Sequence, residues 1–317
     1  MLERKNQRAS LTRRKLLLAA AGLALPPVDA FAVEAAAPRK QVAPAPKQPA
    51  PPSADAKPWL TLPATPTLPP ARNEGRVDLN GTNIFFAQFG DGPHVLLLHG
   101  GLANSNYWGH QVRALAPDFL VTVMDTRGHG RSPVASGQFS YLQFAQDVVA
   151  LLKHLGITRS AVVGWSDGGI TGIQLAMIKP ELMSGLFAFG ANTNLGGLIA
   201  NGASSAVFQK FSERCRQEYR ALSPRPEKWP TLKSGLVTMW RSQPTFTRAQ
   251  LSAIKVPTAV SDGEYDEIIR PEHTRKIAAE IPNARLVIMP KLSHFALLQD
   301  SARFNAPLLD FLRGISR

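Results

Sequence analysis

The chain has 317 residues, of which 44% are hydrophobic and 19% are charged, so it can bury a substantial core, and disorder throughout is excluded. The formal net charge is +13, but residues 1–72 carry +7 of it and the other basic residues are scattered. This distribution predicts a solvated surface rather than a nucleic-acid groove. The single cysteine, Cys215, excludes an internal disulfide and is expected to be a passive thiol.

The first 32 residues have the pattern of an export signal. Paired arginines at 13 and 14 precede a short apolar run over residues 16–25, and Ala-Phe-Ala at 30–32 is typical of a cleavage site. The run is too short to cross a bilayer as a helix. We therefore expect a twin-arginine-type signal peptide over residues 1–32, no stable membrane anchor, and a periplasmic or secreted protein. Residues 33–72 hold eleven of the 26 prolines and predict an extended linker outside the fold.

From residue 73 onward, short apolar strands alternate with helical patterns. Strands are predicted at residues 83–90, 94–100, 119–125, 160–165, 184–190, 257–263 and 284–290, and helices at 140–156, 169–180, 270–282 and 301–314. This alternation predicts an α/β domain over residues 73–317, a mostly parallel sheet with helices on both faces. Residues 194–248 lack strand patterns and are rich in aromatic residues. They predict a helical lid over the carboxyl edge of the sheet, or else a helical excursion that contacts no site.

Residues 162–169, Val-Val-Gly-Trp-Ser-Asp-Gly-Gly, match the G-x-S-x-G pattern of a nucleophile elbow. A predicted strand precedes the pattern and a predicted helix follows it. Glycines on both sides of Ser166 permit the sharp turn that lifts its hydroxyl, and the helix start supplies amide groups and a positive dipole end for developing negative charge. Ser166 is therefore the predicted nucleophile.

A serine nucleophile needs a base, normally a histidine held by a carboxylate. After such an elbow the chain order is serine, acid, histidine. Asp266 and His294 both follow predicted strands in that order, so they are the predicted partners of the serine. Asp262 is the rival of Asp266, because it lies four residues earlier at the end of the strand. His273, a rival of His294, is expected on an exposed helix face.

The oxyanion of the reaction needs two backbone N–H groups. One is expected from Asp167, directly after the nucleophile. The other is expected from Gly101 in the His-Gly-Gly turn, with Leu102 as the nearby alternative. We also expect Trp165, Asp167 and Leu102 to contact the substrate. The Asp167 carboxylate either holds a cationic substrate group or bonds to backbone amides near the helix start, since an unpaired carboxylate beside an oxyanion opposes the chemistry.

From residue 77 to the C-terminus, these motifs resemble the α/β-hydrolase superfamily. The resemblance is carried by HGG at 99–101, DTRGHGRS at 125–132, GWSDGG at 164–169, GEYD at 263–266 and LSHF at 292–295. More narrowly, GWSDGGIT followed by FGANTN at 189–194 resembles the biphenyl hydrolase-like group, which includes valacyclovir hydrolase. Members of that group cleave esters of α-amino acids. The resemblance implies that Asp167 holds the ammonium group of the substrate.

The expected function is hydrolysis of a carboxylic ester, lactone or related small-molecule acyl compound through an acyl-enzyme, including an amino-acyl ester as one form. The same residues also suit a cofactor-free haloperoxidase or a carbon–carbon bond hydrolase, and a non-catalytic receptor on the same fold is the alternative from another class. The sequence contains no metal-binding cluster and no glycine-rich phosphate loop, so neither a cofactor nor a metal is expected.

Overall fold

A mostly parallel sheet forms the centre of the structure, a computed structural model that describes residues 57–134 and 138–316. Within these residues its eight strands are β1 (Asn73–Leu79), β2 (Thr82–Phe89), β3 (His94–Leu98), β4 (Leu120–Met124), β5 (Ser160–Trp165), β6 (Met183–Phe189), β7 (Thr258–Gly263) and β8 (Arg285–Met289). The order across the sheet is β1-β2-β4-β3-β5-β6-β7-β8. β2 pairs antiparallel with both β1 and β4, and the other pairs are parallel. The predicted fold class is confirmed.

Helices cover the sheet in two groups. Those of the described residues are α1 (Gly109–Leu115), α2 (Tyr141–His154), α3 (Asp167–Ile178), α4 (Ala206–Leu222), α5 (Trp229–Trp240), α6 (Arg248–Ser252), α7 (Pro271–Glu280), α8 (Ala296–Gln299) and α9 (Ser301–Ile315). α2 packs on α3, whereas α1 packs on α9. In the described part of the chain, no helix has both the length and the apolar character needed to cross a membrane.

The parallel strands bring four loops to one edge of the sheet. All six residues of β5 are buried, as a continuous apolar run in a central parallel strand predicts. Because β3, β5, β7 and β8 run in the same direction, the loops after them meet at the carboxyl edge. These loops carry Gly101, Ser166, Asp266 and His294, so the topology places all four predicted residues at one edge.

The long connection between β6 and β7 contains helices α4, α5 and α6. The sequence predicted a helical insertion over about the same residues. Phe208 and Phe211 of α4 and Trp240 of α5 line a cavity at the carboxyl edge. The alternative, a helical excursion that contacts no site, does not describe this segment.

Residues 57–72 differ from the expectation of a linker outside the fold. Arg113 donates a hydrogen bond to the Thr67 carbonyl at 2.7 Å, and Gln299 donates one to the Thr61 carbonyl at 2.9 Å. The ring of Trp59 stacks on that of Tyr265 with 4.4 Å between the centroids. These residues therefore lie against the domain, and proline content alone did not reveal it. The predicted signal peptide and residues 33–56 lie outside the described residues.

A buried ion pair joins helix α2 to the loop after β4. Arg127 donates to the Asp147 carboxylate through Nε at 2.5 Å and through Nη2 at 2.6 Å. The Asp147 side chain is fully buried, and that of Arg127 is 6% exposed. Removing one partner of such a pair leaves an uncompensated buried charge.

We expect Asp147→Asn to lower the free energy of unfolding by about 3–5 kcal/mol, because it leaves the Arg127 guanidinium unpaired in the interior. Urea denaturation followed by circular dichroism measures this loss. Asp310→Asn is the matched control, since Asp310 pairs with Arg285 on the surface, and it should cost less than about 1 kcal/mol. Equal losses of unfolding free energy in the two variants would contradict the view that Arg127 and Asp147 form a stabilising buried ion pair.

Candidate active site

The turn at Ser166 is sharp and strained. Ser166 has a φ of 54°, in the left-handed region that non-glycine residues rarely adopt. It lies between the last residue of β5 and the first residue of α3. A Cβ on Gly164 would collide with the carbonyl of Gly168, and a Cβ on Gly168 would collide with the carbonyl of Leu98. Only glycine fits at these two positions, and this is the geometry that the elbow motif predicts.

His294 and Asp266 form a short, buried pair. The Nδ1 of His294 donates to Oδ2 of Asp266 at 2.6 Å, and their side chains are 3% and 1% exposed. The other carboxylate oxygen of Asp266 accepts hydrogen bonds from the amides of Ile268 and Ile269, both at 2.7 Å. Asp266 is thus fixed by the loop that carries it. Because Nδ1 is engaged, Nε2 is the ring nitrogen of His294 that remains for a ligand.

Asp262, the rival acid, has a different environment. Its carboxyl group accepts hydrogen bonds from the Thr274 hydroxyl at 2.6 Å and from the Gly263 amide at 2.8 Å. Burial and the neighbouring Asp266 carboxylate raise the pKa of Asp262 well above its usual range, which favours the protonated form. The structure therefore pairs Asp266, and not Asp262, with His294.

Opposite forces act on the pKa of His294. Burial lowers this pKa, but the carboxylates of Asp266, Glu267 and Asp167 raise it by more, so it lies above the ordinary 6.5. Burial also raises the pKa of Asp266, yet His294 and the hydrogen bonds to the carboxylate bring it below its usual value. The pair therefore favours an ionised aspartate beside a basic imidazole.

The residues whose amides are predicted to bind an oxyanion both lie at the cavity beside Ser166. Gly101 and Asp167 both line the cavity that contains Ser166 and His294. Among the hydrogen bonds of the described residues, neither amide has an acceptor. His99 holds the loop behind them, because its Nδ1 donates to the Gly100 carbonyl at 2.8 Å and its Nε2 accepts the Thr126 amide at 3.0 Å.

Leu102 is not where the sequence led us to expect it. Its φ is 65°, and its side chain is 3% exposed within the hydrophobic core. The left-handed turn after the two glycines leaves this side chain in the core. Trp165 and Asp167 line the cavity and the Leu102 side chain does not, so contact between Leu102 and the substrate stays a prediction without support from this geometry.

A cavity of about 200 Å³ opens beside Ser166. One part of its wall is apolar and comes from the lid and the loop after β7, namely Leu198, Ile199, Ala203, Phe208, Phe211, Ile268 and Ile269. Another part is polar and includes Tyr141, Asp167, Asn192, Trp240 and Gln243. The cavity can therefore hold a small molecule that has both an apolar group and a polar group.

The carboxylate of Asp167 is held by side chains rather than by backbone amides. The Tyr141 hydroxyl donates to its Oδ1 at 2.8 Å, and the Trp240 indole N–H lies 3.0 and 2.9 Å from its two oxygens. Burial raises the pKa of Asp167 to about 6, although these hydrogen bonds oppose the shift. No Lys or Arg of the described residues pairs with it. Neither alternative offered by the sequence foresaw this arrangement.

His273 also departs from its predicted exposed position. It is 6% exposed, and its Nε2 accepts the Thr193 amide at 3.0 Å. The helical pattern of α7 did not show that the chain after β6 covers this face. Tyr141 and Gln243, which line the polar part of the cavity, carried no signal in the sequence, because neither belongs to a motif. Trp240 had only the aromatic richness of the lid segment.

Comparison with known proteins agrees with this geometry. The family model described as the α/β hydrolase fold matches residues 93–221. The human protein named Serine hydrolase BPHL is 29% identical over 75% of this chain and 86% of its own length. A solved hydrolase from Pseudomonas aeruginosa PA01 is 25% identical with a TM-score of 0.63, and the match covers 77% of this chain and 99% of that chain. Est816, described as an N-acyl homoserine lactone degrading enzyme, is 27% identical with a TM-score of 0.60 over 76% and 99%.

This chain has the α/β-hydrolase fold, and its relatives are named hydrolases of that fold. Both the fold class and the resemblance to biphenyl hydrolase-like proteins that its motifs predicted are confirmed. In this fold, the carboxyl edge of the sheet brings Ser166, His294 and Gly101 to one small cavity. The fold implies a small-molecule substrate.

We expect the pKa of His294 to lie above 6.5 and to fall in Glu267→Gln. Glu267 accepts the His294 amide at 3.2 Å, and its carboxylate is one of the groups that favour the imidazolium. Removing that charge favours the neutral ring, so the pKa decreases. A titration of the imidazole signals by NMR measures it.

Glu227→Gln is the matched control for this titration, because Glu227 is an exposed lid residue that pairs with Arg225. It should leave the pKa of His294 unchanged. A pKa below 6.5 in the wild type, or the same value in Glu267→Gln, would refute the electrostatic account of the site.

Proposed function

We propose that this hydrolase cleaves a carboxylic ester or lactone through an acyl-enzyme on Ser166. The observation that carries the proposal is that Ser166 and His294 line one cavity while His294 is bonded to Asp266 at 2.6 Å. A histidine held by a carboxylate is the base that a serine nucleophile needs. The names of the relatives, a serine hydrolase and a lactone-degrading enzyme, support the same reaction class.

In the first half of the reaction, Ser166 Oγ attacks the carbonyl carbon of the substrate. His294 accepts the hydroxyl proton at Nε2, and the imidazolium is stabilised by Asp266 through Nδ1. The carbonyl oxygen becomes an oxyanion that accepts hydrogen bonds from the amides of Gly101 and Asp167. Collapse of this intermediate breaks the bond to the alcohol oxygen, which takes the proton from His294 and leaves an acyl ester on Ser166.

In the second half, a water molecule replaces the alcohol. His294, neutral again, removes a proton from the water as it attacks the acyl carbon, and the second intermediate forms in the same oxyanion position. Its collapse breaks the bond to Ser166 Oγ, which regains the proton, and the carboxylic acid leaves. In a lactone the alcohol stays attached to the acyl group, so one hydroxy acid is the product.

The cavity limits the size of the substrate. A volume of about 200 Å³ accommodates a short or medium apolar group together with the reacting carbonyl, and the aromatic lid residues Phe208 and Phe211 form part of its wall. The apolar part of the wall favours a hydrocarbon group, because burying such a group contributes about 25 cal/mol per Å².

We propose that Asp167 selects a cationic substrate group. Asp167 is 7% exposed, and its carboxylate accepts hydrogen bonds from two neutral donors, Tyr141 and Trp240. A buried carboxylate without a cation costs free energy, and an ammonium group in the cavity would offset that cost. An amino-acyl ester carries such a group next to its carbonyl. The substrate class implied by the resemblance and the electrostatics of the cavity therefore agree.

We also propose that the reaction takes place in the periplasm or outside the cell. The paired arginines and the short apolar run near the N-terminus support export of the folded protein. A chain with one cysteine, buried at Cys215, needs no disulfide to fold in either redox compartment.

A fluorophosphonate probe should label the wild-type protein and fail to label Ser166→Ala, because only an activated serine reacts with it. Intact-protein mass spectrometry measures the adduct. Ser293→Ala is a matched control, since Ser293 is buried next to His294 but does not line the cavity, and this variant should still be labelled. Equal labelling of wild type and Ser166→Ala would exclude Ser166 as the nucleophile.

The wild type should prefer valine benzyl ester to 3-methylbutanoic acid benzyl ester, which lacks only the ammonium group. We expect a preference in kcat/KM of about tenfold or more, since hydrogen bonds to charged groups contribute about 1.5–3 kcal/mol. The preference should increase from pH 5 to pH 7, because Asp167, with a pKa of about 6, becomes ionised over this range. Steady-state kinetics with both esters measures it.

Asp167→Asn should abolish that preference while it keeps the Oδ1 acceptor for Tyr141. Asp310→Asn, which removes a charge from the surface, should keep it. A preference that persists in Asp167→Asn, or that is absent in the wild type at pH 7, would dispose of the cationic-substrate proposal and leave the ester hydrolase proposal intact.

A further inference from the structure

Residues 61–69, here called the strap, contain a three-residue repeat. The sequence reads Thr-Leu-Pro, Ala-Thr-Pro, Thr-Leu-Pro. Its burial follows the same period, since residues 61, 64 and 67 are exposed and the other six are half-buried. A period of three is that of a polyproline II helix, which proline and the residue before it both favour. One edge of the strap therefore faces solvent, and two edges face the domain.

The strap is bound by charged side chains of lid helix α4. Arg214 donates to the carbonyls of Leu62 and Pro63 at 2.9 and 2.5 Å. Thr65 donates through its hydroxyl to Glu218 Oε1 at 2.5 Å. Polyproline segments have no hydrogen bonds of their own, so their carbonyls are available for such donors. Arg214 and Glu218 are one helical turn apart, and both point toward the strap.

The same helix forms part of the wall of the cavity. Phe208 and Phe211 of α4 line it, and the Phe211 ring lies 4.9 Å from that of Phe295 and 5.7 Å from that of Trp165, measured between centroids. Trp165 directly precedes Ser166. Phe211, Arg214 and Glu218 are three and four residues apart along α4, so the same side of this helix contacts both the strap and the site.

Glu218 also connects the strap to the loop that carries Gly101. The Asn104 side-chain amide donates to Glu218 Oε2 at 3.0 Å, so one carboxylate bridges Thr65 and Asn104. Burial raises the pKa of Glu218, although the hydrogen bonds to the carboxylate oppose that shift. A half-buried carboxylate with both oxygens bonded fixes the three segments relative to one another.

The fit of the strap depends on one glycine of helix α1. A Cβ on Gly109 would lie 2.5 Å from the Thr67 carbonyl oxygen and 3.1 Å from the Pro66 Cβ. A side chain there would push the strap away from the domain.

We propose that the strap is a built-in polyproline-type ligand that holds lid helix α4 in place and thereby sets the depth of the cavity. Arg214 and Glu218 are positioning residues that act through Phe208 and Phe211. The effect on substrate length rests on the proposed ester hydrolysis, whereas the effect on the helix does not.

Two variants displace the strap in different ways. Arg214→Met removes the donors to Leu62 and Pro63, and Gly109→Ala creates the clash with Thr67 while it keeps every hydrogen-bonding group. Alanine also stabilises a helix relative to glycine, so Gly109→Ala should not unfold α1. Arg216→Met is the matched control, because Arg216 lies on α4 and pairs only with exposed Glu213.

Hydrogen exchange of the full chain, read by mass spectrometry, is the first measurement. Exchange of α4 should become about tenfold faster in Arg214→Met and in Gly109→Ala, as expected when a hydrogen bond to a charged group is lost, and stay unchanged in Arg216→Met. Global melting temperatures, measured in parallel, distinguish local release of α4 from unfolding of the domain. Unchanged exchange in Gly109→Ala would overturn the proposal.

The second measurement compares kcat/KM for p-nitrophenyl acetate and p-nitrophenyl octanoate. Release of α4 should deepen the cavity and raise the octanoate-to-acetate ratio by about threefold or more in both strap variants, but not in Arg216→Met. A ratio that stays constant while α4 exchanges faster would overturn the effect on cavity depth. If the wild type cleaves neither of these esters nor valine benzyl ester, the proposed function fails, and hydrogen exchange still decides whether the strap holds α4.

Discussion

The strained turn at Ser166 is the constraint on which the site depends. A non-glycine residue in the left-handed region costs about 1–3 kcal/mol, and this turn persists because buried strand β5 and helix α3 fix both of its ends. The crowding at Gly164 and Gly168 leaves no room for a side chain at either position. Because the turn fixes where the hydroxyl lies, every other group of the site can be described by its position relative to Ser166.

Three carboxylates act on one imidazole and a fourth carboxyl group, that of Asp262, neighbours Asp266; their hydrogen-bond donors give the four groups different tasks. Asp266 is held by two amides and remains ionised beside His294, whereas Asp262, one turn of chain earlier, has the environment of a neutral acid. Glu267 and Asp167 contribute charge from further away. Similar residues thus act as ion-pair partner, structural acid, electrostatic support and candidate substrate ligand. What distinguishes them is the hydrogen-bond donors that each one receives.

The sequence predicted the elements that have a local pattern. The elbow at Ser166, the acid in the loop after β7 and the histidine after β8 follow from motif and order, since parallel strands bring their carboxyl ends to one edge. Motif and chain order did not predict three features: the core position of Leu102, the burial of His273 and the contacts of residues 57–72. Each depends on packing between segments far apart in the chain, which periodicity does not encode. The donors to Asp167 were missed for the same reason.

Through Trp240, the lid supplies a hydrogen-bond donor to the carboxylate of Asp167, the residue directly after the nucleophile. With helix α5 in place, an indole N–H and a phenol replace the water that a carboxylate would otherwise bind. A ligand that moves Trp240 aside must itself supply a hydrogen-bond donor, because otherwise the buried carboxylate loses a hydrogen bond that water does not replace. A molecule that displaces Trp240 therefore binds at low free-energy cost only when it donates a hydrogen bond to Asp167 in place of the indole N–H.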